Sequence, residues 1–515
     1  MVQANSEQRS SQIIKNVLVN WTAFGSTLLL GFVLSPFLVR NLGDSVYGVW
    51  VLLGSLVGYL GLLEFGLTPS IVKYIAEYRA REDQAAINRL VTCAFAVYSA
   101  MGLLSLVVTF AVAFNFNTIF ETELSDKTVA TVAILSGLNL ALSFPALVFV
   151  GIVRGYQRYD INSGITSVTL IARSIFFVAA IVYDYGIIGL AVATLVFDVI
   201  RLAYLVRWAF KLNPEIEIAR RYFQWGELRR LFNYSVYVFL IILGERIIFF
   251  TDSIVIGLFL STSSVTAYFI AGRLVSYLRS LVEEMIGVLA PVTSDLDARN
   301  NQNAIAELLK VSTKYMLLLA LPVATVFFVM GDSFISLWMG PQYAASAAML
   351  TVLTVGTIVN LLLLPSNTVL QGMGKHRVVA WFTILQAVLN LVLSIAMVGR
   401  YGVMGVALGT AIPMVLTSLV ALYVYFRYYL KLGLGDYLRS ALPMPLVVQI
   451  PFVAALLLIK TYAPATSLMV LFAQIAVAFV PYGGIAFLTC LTPGERRPFL
   501  RLAEKFGLKL SPMRT

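Results

Sequence analysis

The chain has 515 residues, of which 59% are apolar and only 12% are charged, and its mean hydropathy is +0.87. These values exclude a soluble multi-domain protein of this length and indicate a polytopic membrane protein. The formal net charge is +11, but the basic residues are spread over short segments between apolar runs, so a nucleic acid is not expected as a partner.

Fourteen apolar runs of about 20 residues predict transmembrane helices, because runs this long do not alternate as barrel strands do. The first fifteen residues are polar and lead into a long span without a small-residue cleavage site, so no removable signal peptide is expected. Cys93 and Cys490 suggest no disulfide framework. The predicted spans are centred near Gly25, Leu56, Leu103, Leu140, Phe176, Val196, Ile242, Val275, Leu321, Ile358, Val388, Val415, Ala454 and Ile475.

In the first half of the chain, span one runs from about Ile14 to Leu38 and is followed by a short turn. Span two is followed, after Pro69, by a charged helical segment that is too polar to enter the membrane and is expected on its cytoplasmic surface. Spans five and six flank a tight turn that begins at Tyr185, and a basic linker ends at Arg230.

An internal repeat organises the rest of the sequence. The stretch from Tyr185 to Ala191 recurs as Tyr401 to Ala407, 216 residues later, and Gly155 matches Gly372 at an offset of 217. Pro69, before a polar helix, is echoed by Pro291. The repeat predicts two six-helix lobes, 1–226 and 227–427, and a third region, 428–515, with two extra helices and a basic tail. Six is an even number, so the lobes are parallel repeats, which in transporters place the substrate site between them.

The Lys and Arg residues are distributed asymmetrically along this topology. If the N-terminus is cytoplasmic, most of the 37 basic residues fall in inner segments, and the outer loops hold Arg40, Lys127, Arg400 and Lys460. The positive-inside rule then predicts that both termini are cytoplasmic.

Spans seven and eight are unusual because they carry charged residues within apolar stretches. Glu245 and Asp252 lie seven residues apart and share a helix face, with Arg246 about 100° around from it. In span eight the spacing places Arg273, Tyr277 and Glu284 on one face and pairs Arg279 with Glu283 on another. A lipid-facing charge near the bilayer centre costs about 2.5 to 3.5 kcal/mol. These residues therefore either pair with one another to hold the two spans together or line a water-filled cavity, and as a group they favour the cavity.

Arg173 and Asp198 lie at similar depth on the predicted antiparallel spans five and six. They predict a buried ion pair, either structural or part of a translocation path, and the structural role is favoured. Other signatures are missing from the sequence: it has no G-x-x-x-x-G-K-[ST] phosphate loop, metal-ligand cluster or Ser/His/Asp set, so an enzyme is not expected.

Several of these features together resemble the polysaccharide transporter family. The resemblance rests on four features: the R-x-L-G-x-x-x-Y-G turn from Arg40 to Gly48, the GYLGLLEFGL run from Gly58 to Leu67, Asp252 in span seven, and the 6+6+2 arrangement of spans. This family contains O-antigen and exopolysaccharide flippases and belongs to the superfamily of the multidrug and toxic-compound extrusion (MATE) exporters and lipid II flippases.

The resemblance implies an all-α, MATE-like fold of fourteen transmembrane helices in the bacterial plasma (inner) membrane. It also implies alternating-access translocation of an undecaprenyl-diphosphate-linked oligosaccharide from the inner to the outer leaflet. The expected partners are the lipid-linked oligosaccharide, membrane lipids and other polysaccharide-assembly proteins. No cofactor is expected beyond coupling by H⁺ or Na⁺.

In that scheme, three groups of residues receive candidate roles. Arginine suits bidentate phosphate contacts, so three arginines are candidates for the diphosphate. The tyrosines are candidates for stacking on sugar rings, and the acidic residues for binding the coupling ion. The groups are Arg246, Arg273 and Arg279; Tyr237, Tyr268 and Tyr277; and Glu245, Asp252 and Glu284.

Two alternatives remain open. A MATE-like cation-coupled drug exporter would share the lobes but would have twelve spans and an acidic, aromatic cavity. A membrane polymerase or ligase of lipid-linked sugars would need large outer loops bearing catalytic residues, whereas the predicted outer loops are short.

Overall fold

The computed structural model describes residues 24–496, apart from the side chains of 232–236 and 238, and all regular elements in this part of the chain are helical. Each of the predicted span centres lies inside one of the long helices. The helices are α1 (Phe24–Leu42), α2 (Asp44–Leu60), α3 (Leu67–Ala80), α4 (Gln84–Ile119), α5 (Asp126–Gly155), α6 (Tyr159–Val182), α7 (Gly186–Leu212), α8 (Trp225–Phe259), α9 (Thr262–Ile286), α10 (Leu289–Ala298), α11 (Gln302–Trp338), α12 (Ser346–Gly372), α13 (His376–Val424), α14 (Leu434–Ala441), α15 (Pro443–Tyr462) and α16 (Leu468–Thr489).

Eleven helices in the described part of the chain are long and apolar enough to cross a membrane, which confirms a multi-pass membrane protein. Helices α8 and α9, which carry the charged residues of predicted spans seven and eight, are not among these eleven, and the side chains of α8 are only partly described. The structure also differs from the predicted pattern at His376–Leu430, where two predicted spans form one continuous helical stretch of 55 residues.

That long stretch reverses direction within α13. Gly402 has φ 57° and ψ −140°, a left-handed conformation that favours glycine. Asn390 hydrogen-bonds to Thr410, and a side-chain carbon added at Gly409 would lie 2.5 Å from Ser394 Oγ. Residues before and after this reversal are therefore neighbours, so α13 is an antiparallel helical hairpin and contains two membrane-length segments.

The charged segment predicted as one surface helix is two helices. Helix α3 ends at Ala80, Glu82 has φ 54°, and Asp83 caps α4 by accepting a hydrogen bond from the Ala86 amide at 2.8 Å. An acidic side chain at this position satisfies an amide that has no partner within the helix. The prediction of a single helix was wrong at this turn, and the second half of the segment continues directly into the apolar part of α4.

The described helices form two compact units. Unit one extends to Phe269 and includes His376–Thr410, and unit two comprises Ile270–Lys375 and the described chain from Ala411 onwards. The core of unit one is formed mainly by α3, α4 and α5, with fully buried Ile71, Leu90 and Val148. Because these units reflect packing and not repetition, the lobe boundaries at 226 and 427 stay a prediction.

In unit two, α15 and α16 pack on α11 through polar as well as apolar contacts. Pro322 has no amide hydrogen, so the Leu318 carbonyl lacks its helical donor. The Tyr482 hydroxyl of α16 donates to that carbonyl at 2.8 Å. Thr325 also donates to Gln449 of α15 at 3.2 Å. The last two long helices are therefore fixed to α11 at specific positions.

Lys314 of α11 forms an ion pair beyond the end of α16. Its Nζ lies 2.8 Å and 2.9 Å from the two carboxylate oxygens of Glu495. Partial burial favours the neutral acid, but the hydrogen bonds from Lys314 and Thr492 outweigh it and lower the pKa of Glu495 to about 2. Cys93 and Cys490 are both free thiols, and both are buried.

Candidate functional site

Asp252 lies on α8 within unit one and is only 3% exposed. Two segments meet it there. The start of α9 supplies Tyr268, and the two arms of the α13 hairpin supply Asn390 and Thr410. The reversal at Gly402 is what brings residues from both arms to one carboxylate.

The Asp252 carboxylate accepts hydrogen bonds from several neutral groups. The Tyr268 hydroxyl donates to Oδ2, and Thr410 Oγ1 donates to the same oxygen at 2.7 Å. Asn390 Nδ2 lies 2.8 Å from Thr410 Oγ1 and 3.5 Å from Asp252 Oδ1. The amide therefore orients the hydroxyl that binds the acid.

No basic side chain in the described part of the chain pairs with Asp252. All its hydrogen-bond partners there are hydroxyl or amide groups. A buried carboxylate without a counter-charge is costly, and a proton or a bound cation would lower that cost.

Two further oxygens lie on the first arm of α13 and are nearly inaccessible to solvent. Asn390 Oδ1 has no hydrogen-bond partner within the described residues, and Ser394 Oγ has none of ordinary geometry there, although it interacts with the Asp252 carboxylate. Residues 390 and 394 share a helix face one turn apart. Together with Asp252 they provide carboxylate, amide and hydroxyl oxygens, the ligands that hard cations prefer. One carboxylate balances one positive charge, which suits Na⁺ or H⁺. The described residues contain no group of three or more His, Cys, Asp or Glu that could hold a metal ion.

Glu245 and Asp252 lie on the same face of α8, as predicted from their spacing, but they differ in burial. Glu245 is exposed, two turns before the buried Asp252. The Arg246 guanidinium lies 5.0 Å from the ring centroid of Phe250 on the same helix. Packing against α13 buries α8 at Asp252, which helical periodicity alone does not reveal.

The predicted Arg279 and Glu283 pair forms within unit two, and two of the residues predicted to share a face of α9 are in contact there. Arg273 Nε donates to the Tyr277 hydroxyl at 3.1 Å. Arg279 Nε lies 2.5 Å from Glu283, and its NH1 donates to Asn360 at 3.1 Å. Thus α9 has two ordered arginines.

The candidate path residues are divided between the units. Glu245, Arg246 and Asp252 belong to unit one, whereas unit two contains Arg273, Tyr277, Arg279 and a partly buried Glu284. A shared role for the three arginines stays a prediction. Tyr268 is buried and donates a hydrogen bond to Asp252, whereas Tyr237 is 41% exposed, and the expected stacking of both on sugar rings stays a prediction.

The predicted Arg173 and Asp198 pair is present, but it has additional members. Arg173 NH1 lies 4.0 Å from Asp198 Oδ2, and Arg201 Nε lies closer, 3.5 Å from Asp198 Oδ1. Asn139 of α5 also donates to Oδ2 at 3.0 Å. Sequence reasoning missed Arg201, although its i, i+3 spacing from Asp198 was a usable signal.

Comparison with known sequences identifies relatives along most of the chain. The sequence profile described as "Polysaccharide biosynthesis protein" matches residues 13–297, and the MatE profile matches residues 238–396. The "Putative O-antigen transporter" of Shigella flexneri is 23% identical over 81% of this chain and 98% of its own length. The "Probable low-salt glycan biosynthesis flippase" of Haloferax volcanii is 23% identical over 76% of this chain and 79% of its own length.

Solved structures share the fold. The lipid II flippase MurJ in an inward closed conformation superimposes with a TM-score of 0.72 and 14% identity, over 92% of this chain and 98% of that chain. An inward-facing MATE multidrug transporter has a TM-score of 0.69 and 16% identity, and the match covers 82% of this chain and 99% of the transporter. These relatives and structural neighbours are transporters or flippases.

Proposed function

The chain belongs to the polysaccharide biosynthesis protein family, and from that premise we propose that it is a flippase for a lipid-linked oligosaccharide. The observation that carries the proposal is the match to an O-antigen transporter over 98% of that protein's length. A sugar chain on a charged headgroup cannot cross hydrocarbon unaided, because its polar groups would lose their hydrogen bonds. The protein therefore supplies the polar route.

The substrate we propose is an undecaprenyl-diphosphate-linked unit of O-antigen, capsule or exopolysaccharide. Arg246, Arg273 and Arg279 are the proposed diphosphate contacts, since a guanidinium presents paired donors to phosphate oxygens. Tyr277, which Arg273 contacts, is a proposed sugar contact. Other polysaccharide-assembly proteins are proposed partners that would supply or consume this lipid.

The proposed architecture is fourteen transmembrane helices in the bacterial inner membrane, with both termini cytoplasmic. To the eleven apolar helices, α8 and α9 add two, and the reversal of α13 divides one into two. The lobes would be 1–226 and 227–427, followed by 428–515. The MATE exporter matches over nearly its whole length but only 82% of this chain, which supports additional structure beyond the two lobes.

We propose alternating access, with one gate formed by equivalent turns of the two repeats. Ser45 Oγ lies 3.1 Å from Thr262 Oγ1, 217 residues away, and Thr266 donates to the Asp44 carbonyl at 2.7 Å. A side chain at Gly48 would overlap the Thr262 carbonyl. In the proposed topology these turns lie at the outer end, and their contact closes it.

Substitution of Gly48 tests this gate, with Gly54 of the same helix as a control. Gly48→Ala should separate the turns and raise outward accessibility of a cysteine placed beside them, whereas Gly54→Ala meets nothing within 4 Å and should not. Equal labelling of the two variants would contradict the gate.

We further propose that the coupling ion binds at Asp252. Protonation or Na⁺ binding would neutralise the carboxylate, and the buried oxygens of Asn390 and Ser394 suit Na⁺ in particular. Asp252, Asn390 and Ser394 would hold the cation, and the hydrogen bonds from Tyr268 and Thr410 would orient the carboxylate.

A reconstituted assay tests the function. A fluorescent oligosaccharide on undecaprenyl diphosphate would be placed in one leaflet of sealed proteoliposomes, and its appearance in the other followed with an impermeant quencher. The purified protein should accelerate translocation at least tenfold over protein-free liposomes. The translocation rate would be measured both with and without an ion gradient. The MatE match makes a cation-coupled drug exporter the second candidate. Transport of a cationic dye without translocation of the lipid would favour that candidate.

A further inference from the structure

Two arginines in unit one share a single carboxylate in the middle of neighbouring helices. Arg173 lies on α6, and Asp198 and Arg201 lie on α7. We propose that Arg173 and Arg201 form an oxyanion-binding site for a diphosphate group, with Asp198 as the spacer that holds them in place. The proposal deepens the flippase function and rests on it, because it assigns a second contact point for the lipid diphosphate, separate from Arg246, Arg273 and Arg279.

The charge balance of this cluster leaves one positive charge uncompensated. Asp198 is the only acid within 4.0 Å of either guanidinium among the described residues, at 4.0 Å from Arg173 and 3.5 Å from Arg201. Its other partner, Asn139, is neutral. One carboxylate offsets one guanidinium, so the cluster carries a net charge of +1 inside membrane-length helices.

Most of the guanidinium donors in the cluster are also unused. Arg201 approaches Asp198 only through Nε, and Arg173 only through NH1, while its guanidinium lies 6.0 Å from the Phe177 ring centroid. Each guanidinium carries five N–H donors. The two side chains remain 28% and 29% exposed, so a ligand can reach the remaining donors.

The cluster points away from the face of α6 that lipid would contact. Most exposed apolar residues in this part of α6, at positions 168, 171, 175, 178 and 182, form one stripe at helical spacing, and Phe176, which is 57% exposed, lies outside it. At about 100° per residue, Arg173 lies on the opposite side of the helix. Phe177, one turn further on, contacts Trp50 of α2 with ring centroids 6.2 Å apart.

Helix α7 likewise turns its charged residues away from its exposed apolar face. Its exposed apolar residues include Val192, Val196 and Ile200, and Asp198 and Arg201 fall on the other face. Both helices therefore direct their charged groups towards other protein segments of unit one. An uncompensated arginine at this depth is costly in hydrocarbon but is suited to a polar path.

The chemistry of the cluster favours an anion with several oxygens. Two guanidiniums on either side of one carboxylate offer separate forks of donors, which match neighbouring phosphate oxygens. A diphosphate supplies more than one negative charge and would offset the excess. The ligand could be free diphosphate or the headgroup of a lipid, and the test distinguishes these sources.

The test uses the purified full-length protein and measures binding of inorganic diphosphate by calorimetry. Arg201→Gln and Arg173→Gln should each weaken binding about tenfold, and Arg201→Lys should weaken it less, because lysine keeps the charge without the fork. Asp198→Asn should tighten binding at least threefold, since it removes the competing negative charge. Arg158→Gln, which breaks a pair with Asp160 in the same unit, is the matched control and should leave affinity unchanged.

The direction of the Asp198→Asn effect separates a binding role from a structural one. A folded Asp198→Asn protein with unchanged or weaker affinity would overturn the proposal. If that variant does not fold, the comparison of Arg201→Lys with Arg201→Gln decides, and equal affinities for the two would overturn it as well.

A second arm uses undecaprenyl diphosphate in detergent micelles in place of inorganic diphosphate. A tenfold or greater preference for the lipid identifies a headgroup site, and equal affinity identifies a site for the diphosphate moiety itself. Wild-type protein that translocates lipid-linked oligosaccharide while Arg173→Gln and Arg201→Gln bind diphosphate normally would overturn this inference alone. Failure of the wild type to translocate would instead overturn the proposed function.

Discussion

Two aspartates in unit one, both within long helices, differ in their burial and in the charge of the groups around them. Asp252 is 3% exposed and has hydroxyl and amide partners, whereas the Asp198 side chain is 20% exposed and lies between two arginines. The first carboxylate lacks a positive charge among the described residues, and the second has more positive charge than it can neutralise.

This difference shows which ligand each cluster can accept. A buried acid with neutral partners attracts a proton or a cation, because nothing in its surroundings balances its charge. A cluster with two guanidiniums and one carboxylate attracts an anion. In a transporter that couples a cation to an anionic headgroup, Asp252 would bind the cation and the cluster around Asp198 would bind the headgroup.

The largest expected effect is the loss of coupled translocation in Asp252→Asn. Asparagine can still accept hydrogen bonds from Tyr268 and Thr410, but it cannot balance a cation. We expect translocation to fall about 100-fold with little change in the melting temperature, measured in proteoliposomes and by thermal unfolding. Asp295→Asn removes an exposed acid paired with Arg299 and serves as the control. Near-normal translocation by Asp252→Asn would contradict the assignment.

The second effect is on stability. Arg173→Asp or Asp198→Arg places like charges together, and we expect each to cost about 2 to 4 kcal/mol of unfolding free energy. The double charge swap should recover at least half of that loss. Yield and thermal unfolding of the purified variants measure this loss and its recovery, with the partly buried Arg158 and Asp160 pair as a comparison. A double variant no more stable than either single variant would count against pairing.

A third, smaller effect concerns the buried oxygens of Asn390 and Ser394 beside Asp252. Asn390→Ala and Ser394→Ala each remove one proposed cation ligand, and we expect the cation concentration for half-maximal translocation to rise about tenfold. Thr354→Val is the control, because it removes a buried hydroxyl that hydrogen-bonds only to its own helix at Leu350. Unchanged cation dependence in both alanine variants would restrict the site to proton binding at Asp252.

The smallest effect concerns Glu495, a carboxylate that is already paired with Lys314. Its pKa is lowered to about 2, so its pairing with Lys314 stabilises the fold above the ordinary glutamate pKa and is lost as pH falls towards 2. Glu495→Gln should lower stability by about 1 kcal/mol at pH 7. In thermal unfolding, the difference in stability between the wild type and Glu495→Gln should narrow below about pH 4.5. A difference that is constant down to pH 3 would show that charge pairing is not its cause.

The parts predicted well from sequence were those that depend on local spacing. The Arg279 and Glu283 pair and the Arg273 and Tyr277 contact follow from i, i+4 geometry. The Arg173 and Asp198 pair followed from helix depth. The long apolar runs gave the helices, because each run must satisfy its backbone internally.

The parts that failed depend on tertiary packing. Asn390, Ser394 and Thr410 lie more than a hundred residues from Asp252, and only the reversal at Gly402 brings them to it. The burial of Tyr268 against Asp252 depends on the same packing, which sequence alone does not show.

The most direct test of the account is to measure ion flux and lipid translocation together. Sealed proteoliposomes would carry a fluorescent lipid-linked oligosaccharide, and either ²²Na⁺ uptake or an internal pH dye would report the ion. The account predicts ion flux that appears only when substrate is present and that disappears in Asp252→Asn. Lipid translocation by the wild type with no accompanying ion flux, or substrate-dependent flux unchanged in Asp252→Asn, would contradict it.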